Sequence, residues 1–98
     1  MEESTPHCKL ARIKALTDSG KIRATRLANE GATALGYDFN AMLAIVKSLS
    51  SADFYKSMTT RTDHRIWQDV YRPMTSAGQI YLKLTVIDDV LIVSFKEM

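Results

Sequence analysis

One cysteine, Cys8, and two histidines, His7 and His64, are all that 98 residues offer of the softer metal ligands. A lone thiol closes no internal disulfide, and these three side chains give no plausible zinc cluster, so stability has to come from packing. Long apolar runs are missing as well. None approaches the ~20 residues a membrane helix needs, and MEESTPHCK is acidic and polar where a secretory leader is basic and then apolar. The expectation is a soluble, cytoplasmic protein without a membrane segment, a metal or a cofactor of its own. Repeats, low-complexity tracts and linkers are also lacking, which predicts a single domain over 1–98. With 46% hydrophobic and 24% charged residues, such a domain buries roughly 60–70% of its unfolded surface. Net charge is only +2, yet Lys9, Arg12, Lys14, Lys21, Arg23 and Arg26 are opposed in their interval by Asp18 alone. Such a cluster is either a solvated helix face or an attraction for phosphate, and charge alone does not choose.

What is present divides into two periodicities. Thr5 as N-cap, Pro6 in the first turn, Leu10, Ile13 and Leu16 on one side and Gly20 as a stop predict a helix over about 6–18. KIRAT, 21–25, is β-branched enough for a short strand, and Thr25 can cap a second helix ending near Leu35 and Gly36, although Gly31 inside it weakens the pattern. Asp38 caps a third, in which Met42, Ile45, Val46 and Leu49 form a one-sided stripe. Beyond residue 53 the period falls to 2. Strands are predicted at about 54–61, 65–72, 79–87 and 90–96, joined by short polar turns at Arg61–His64, Pro73–Gly78 and Asp88–Asp89. Short turns favour an antiparallel meander. The fold class is therefore α+β, with N-terminal helices packed on one face of a mainly antiparallel, twisted sheet.

Alternation assigns each strand side chain to a face. Trp67, Tyr71, Leu82, Leu84, Val86, Leu91, Val93 and Phe95 fall on one; Lys56, Gln68, Arg72, Tyr81, Lys83, Ser94 and Lys96 on the other. Asp69 intrudes on the apolar set, and Val70, Val90 and Ile92 on the polar one. The ionisable members of the polar set are basic or phenolic, whereas an ordinary solvated face intersperses both signs. A basic face bearing Tyr and Gln suits a polyanion: cations neutralise phosphate, Gln donates to phosphate or a base edge, and a ring stacks an unpaired base. Trp67, Tyr71 and Phe95 are expected in the core, and Cys8, His7 and His64 are assigned no chemistry.

YKSMT (55–59), WQDVYRP (67–73), GQIYLKL (78–84) and VLIVSFKE (90–97), with TPH (5–7) and LGYDF (35–39) at lower stringency, resemble the motility quorum-sensing regulator (MqsR) toxins. The resemblance covers nearly the whole chain. It implies a RelE- and YoeB-like fold and the toxin of a type II toxin-antitoxin pair, which cleaves messenger RNA without the ribosome, at GC-containing triplets such as GCU and GCA. It also implies a cognate MqsA-like antitoxin, a dimer with a zinc-binding and a helix-turn-helix domain. The zinc would then be the partner's, and DNA would be met only through the complex. The family's residues implicated in toxicity match Lys56, Gln68, Arg72, Tyr81 and Lys96, all members of the polar set; Tyr55 and Met58 flank them, although alternation puts Tyr55 opposite Lys56.

Metal-free RNA cleavage needs a base for the ribose 2′-hydroxyl, an acid for the leaving 5′-oxygen and donors for the phosphorane. With no histidine pair at hand, a lysine or tyrosine can serve only if its pKa falls toward neutrality, which clustered like charge does for lysine, and Lys56 is the leading base candidate if Lys96 is adjacent. Tyr81 is the expected acid or phosphate donor, Arg72 and Lys96 phosphate stabilisers, Gln68 an orienting donor, and Lys83 an RNA contact. The rival reading is a non-catalytic RNA- or protein-binding module using the same face. A DNA-binding regulator is a third, for which no recognition-helix pattern is visible.

Overall fold

Capping and stop signals predict three helices before the main run of strands, and a computed structural model, which describes residues 2–98, has that order. Met1, the first residue of the expected domain, lies outside the described residues. The elements are β1 (Glu2–Glu3), α1 (Leu10–Asp18), β2 (Ile22–Ala24), α2 (Arg26–Ala34), α3 (Phe39–Ser48), a 3₁₀ turn (Ser51–Asp53), β3 (Phe54–Thr59), β4 (Trp67–Tyr71), β5 (Met74–Thr75), β6 (Gly78–Val86) and β7 (Val90–Glu97). The strands make one sheet in the order β1-β3-β4-β6-β7-β2, with β5 a short flap on β6. β3, β4, β6 and β7 form the predicted antiparallel meander. β2 departs from it by lying parallel to β7 at one edge. β1, for which the sequence carries no strand signal, closes the other edge against β3.

The helices show which local signals survive. Thr25 caps α2 by accepting from the Ala28 N–H at 3.1 Å, and Asp38 caps α3 by accepting from the Ala41 N–H at 2.8 Å. Gly31, an apparent weakness in α2, is required there: a Cβ on it would sit 1.9 Å from the Phe95 carbonyl oxygen, so only glycine lets α2 lie this close to β7. α1 starts at Leu10, four residues later than Thr5 and Pro6 predict. The reason is tertiary. The N–H groups of His7 and Cys8 both donate to the Asp69 carboxylate at 3.0 Å, and the His7 ring stacks on Trp67 at 5.2 Å. These bonds tie the bent segment before α1 to the sheet where local capping would wind it into helix.

They also explain Asp69 on the apolar face. It is buried, with a third donor in the Ser57 hydroxyl at 2.6 Å, so its polar atoms are matched. Around it Ile13, Met42, Val46, Leu49, Tyr71, Leu82, Leu84 and Phe95 fill the layer between helices and sheet.

Two β-bulges reset the alternation. Across β6 and β7, Lys83 pairs with Ser94 but Leu84 with Ile92, leaving Val93 as an extra residue. Strict alternation places Leu91 in the core and Val90 and Ile92 on the polar face; the bulge reverses this, and Val90 and Ile92 are fully buried with the core. Ser94 and Lys96, beyond the bulge, keep their predicted side. The second bulge, between Phe54 and Lys56, frees Tyr55 from the β3 alternation.

Candidate active site

The face away from the helices is organised in rows, because residues paired across antiparallel strands share a side. Lys56, Val70, Lys83 and Ser94 form one row across β3, β4, β6 and β7. Tyr81 and Lys96 pair in the next, which Arg72 joins from the end of β4. On the other side Met58 pairs with Gln68. Lys56, Met58, Gln68, Arg72, Tyr81 and Lys83 are half-buried; Tyr55 and Lys96 are exposed. Val70 is fully buried despite standing between Lys56 and Lys83, which requires the aliphatic stems around it to close over it. That is why an apolar residue sits in the polar set.

Two aromatic rings organise the cations. The Arg72 guanidinium lies 4.1 Å from the centre of the Tyr55 ring, with the Lys56 ammonium 5.4 Å from the same ring. Lys96 and Lys83 lie 5.3 and 5.9 Å from the centre of Tyr81. Such cation–π contacts hold positive charge without neutralising it. The bulge brings Tyr55 into this set, although alternation assigns it to the opposite face. Arg72 is tied to the scaffold by its backbone N–H, which donates to the Asp53 carbonyl at 2.7 Å.

The three lysines are not equivalent. Lys56 donates to Glu2 from β1 at 2.6 Å, and this bond holds the Lys56 pKa above its ordinary value and the Glu2 pKa below its own. A residue expected as the base thus grips its proton more firmly. Glu2 is also the site neighbour that sequence reasoning missed. Lys83 shifts the other way: burial first, then the charges of Lys96 and Lys56, push its pKa down. Lys96, at the end of β7, completes the cluster from the solvent side.

The three arginines of the basic segment, residues 9–26, are occupied elsewhere. Arg12 donates to the Ile87 carbonyl at 3.2 Å, Arg23 pairs with Asp89 at 2.7 Å and Arg26 with Glu30 at 3.0 Å. His7 is spent on Trp67 beneath the sheet, and His64 is exposed in the β3–β4 turn. Among the described residues no group of three or more His, Cys, Asp or Glu side chains is gathered for a metal ion. No helix among them is long and apolar enough to cross a membrane. The open face therefore offers cations, a phenol, an amide and a loosened lysine proton, which are the groups that bind and activate a phosphodiester.

Residues 5–97 match the family model described as motility quorum-sensing regulator, toxin of MqsA. The chain is 58% identical, over 97 residues and 99% of each chain, to the mRNA interferase toxin MqsR of Escherichia coli (strain K12). The chain belongs to the motility quorum-sensing regulator toxin family.

Proposed function

We propose that this member of the MqsR toxin family is an mRNA interferase that works on the open face of its sheet, by metal-independent and ribosome-independent transesterification, within a single toxin domain. One observation carries the location: Lys56, Arg72, Lys83 and Lys96 meet Tyr81 and Gln68 on the one sheet face that no helix covers. Phosphate binding there follows from uncancelled charge, and single-stranded RNA is favoured over duplex because Tyr55, 46% exposed beside Arg72, offers a ring to an unpaired base. Met58 walls the same site from β3.

Arg72 and Lys96 draw the scissile phosphate between the two rings and hold the charge that grows on the phosphorane. Gln68 orients the nucleotide by donating from the neighbouring row. A base takes the ribose 2′-hydroxyl proton; the 2′-oxygen bonds to phosphorus as the bond to the 5′-oxygen breaks; the Tyr81 hydroxyl returns a proton to that leaving oxygen. The products are a 2′,3′-cyclic phosphate and a 5′-hydroxyl. The cleavage triplet is read as GC-containing.

The partners are messenger RNA and a neutralising antitoxin. The antitoxin is read as MqsA-like, a dimer with a zinc-binding and a helix-turn-helix domain, through which the pair meets its operator DNA in the cytoplasm. Incubating purified protein with a defined RNA and mapping both new ends tests the scheme: cleavage with cyclic-phosphate ends is expected to persist in EDTA. Cleavage abolished by EDTA and restored by magnesium overturns the metal-free mechanism. Binding without cleavage returns the protein to the class of RNA-binding modules.

A further inference from the structure

We propose that the base is Lys83, half-buried in β6 in the middle of the open face, and that Lys56 acts instead as a charged contact to phosphate. This deepens the ribonuclease reading and rests on it.

A base must be able to give up its own proton before it can take another, so the question is which lysine is held in the cationic state and which is not. Lys56 is held, by the Glu2 carboxylate at 2.6 Å. Lys96 stands exposed at the end of β7, away from the middle of the face. Lys83 makes no ion pair and no hydrogen bond among the described residues. Its strand runs between β4 and β7, and its cross-strand neighbours are Val70, fully buried, and Ser94, 8% exposed. The charges nearest it are other cations. The Tyr81 ring at 5.9 Å attracts an ammonium there, but desolvation on one side and repulsion on the other outweigh it and favour the free amine, in keeping with the depressed pKa.

Position agrees with this. Tyr81 and Lys83 are two residues apart on one strand, so their side chains leave the same face roughly 7 Å from each other. The Lys83 amine is 5.9 Å and the Lys96 amine 5.3 Å from the Tyr81 ring centre, so a phosphate drawn in by Lys96 and Arg72 comes to rest with base and acid on adjacent places. In the step, the free Lys83 Nζ accepts the 2′-hydroxyl proton and becomes an ammonium, while Tyr81 loses one to the 5′-oxygen. The ammonium then hands its proton to solvent and the phenolate recovers one, so no co-reactant is consumed.

The test compares Lys83→Arg, Lys83→Gln and Lys83→Ala with wild type, reading cleavage of a defined RNA and, separately, affinity for the same RNA carrying a 2′-deoxy residue at the scissile position. Arginine keeps the charge but cannot act as a base, so Lys83→Arg is expected to lose about 10²–10⁴-fold in cleavage while affinity changes little. Primary amines added to Lys83→Ala are expected to restore cleavage in proportion to their free-amine fraction. Wild type supplies a readout independent of any variant: the cleavage rate is expected to rise with pH to a break below 10.5, the ordinary lysine value, and that break to be absent in Lys83→Arg. Full cleavage by Lys83→Arg, a loss matched by equal loss of affinity, or a flat wild-type profile each overturns the assignment. Wild type that binds RNA without cutting it sinks the ribonuclease reading itself.

Discussion

The two faces of this sheet handle polar groups in opposite ways. Beneath, on the side facing the helices, Asp69 is buried and satisfied by three donors, from His7, Cys8 and Ser57. Above, Arg72, Lys83 and Lys96 share a surface where, among the described residues, no carboxylate is bonded to any of them, and only Lys56 at its margin has one, from Glu2. The first arrangement leaves a buried carboxylate fully hydrogen-bonded, which favours the folded chain. The second leaves charge uncompensated, an arrangement that stability does not call for but a polyanion does. On the proposed reading, stability and function are divided between opposite faces of one sheet.

That division can be broken in stages. The largest effect is expected from the bulge at Val93, which sends Ile92 down and Leu91 up: Ile92→Ala should cost about 2–5 kcal/mol in urea unfolding. Leu91→Ala should cost less than about 1. The reverse order, with Leu91→Ala the costlier, would mean that strict alternation holds and the bulge is absent. Next, Asp69→Ala strands two backbone N–H groups and a hydroxyl under the sheet, for a loss of about 3 kcal/mol. Because His7 stacks on Trp67, the only tryptophan, release of residues 4–9 should appear as a shift of the native emission spectrum.

The converse is expected above the sheet. Gln68→Ala and Lys96→Ala should leave the unfolding free energy within about 0.5 kcal/mol of wild type while cutting RNA cleavage. A variant that loses both would show that the open face is also structural.

The smallest effect concerns the one ion pair at the boundary. The folded Glu2 carboxyl titrates below its ordinary 4.5, so its contribution is present above that value and is lost as pH falls through the depressed one. Lys56 titrates above 10.5, so its contribution is present below that value and is lost as pH rises through the raised one. NMR titration of both groups should bracket a wide window in which the pair is closed. Glu2→Gln should return the Lys56 midpoint towards 10.5; an unmoved midpoint would mean that Glu2 does not hold it.

Much of this was legible in the chain. Thr25 and Asp38 sit where caps are expected, and the meander follows from short turns between period-2 runs. Lys56, Gln68, Arg72, Tyr81, Lys83 and Lys96 share a face because each alternates with core residues on its own strand. The failures have particular causes. Thr5 and Pro6 carry a sound local signal for a helix start, overruled by an acceptor more than sixty residues away. Strict alternation puts Tyr55, Leu91 and Ile92 on the wrong faces because a bulge is a property of two strands and leaves no mark on one. Glu2 gave no sign of its partner, since two acidic residues have no strand propensity to announce β1.

By itself the sequence determined the periodicities, the caps, the α+β order of elements and the basic set on one side of the sheet, all of which depend on neighbours within a few residues. Tertiary structure decided the parallel edge at β2, the strap of β1, the approach of α2 to β7 at Gly31 and the inequality of the lysines. Each of those depends on which distant group arrives, and an amine's hold on its proton is set by the charges and burial around it.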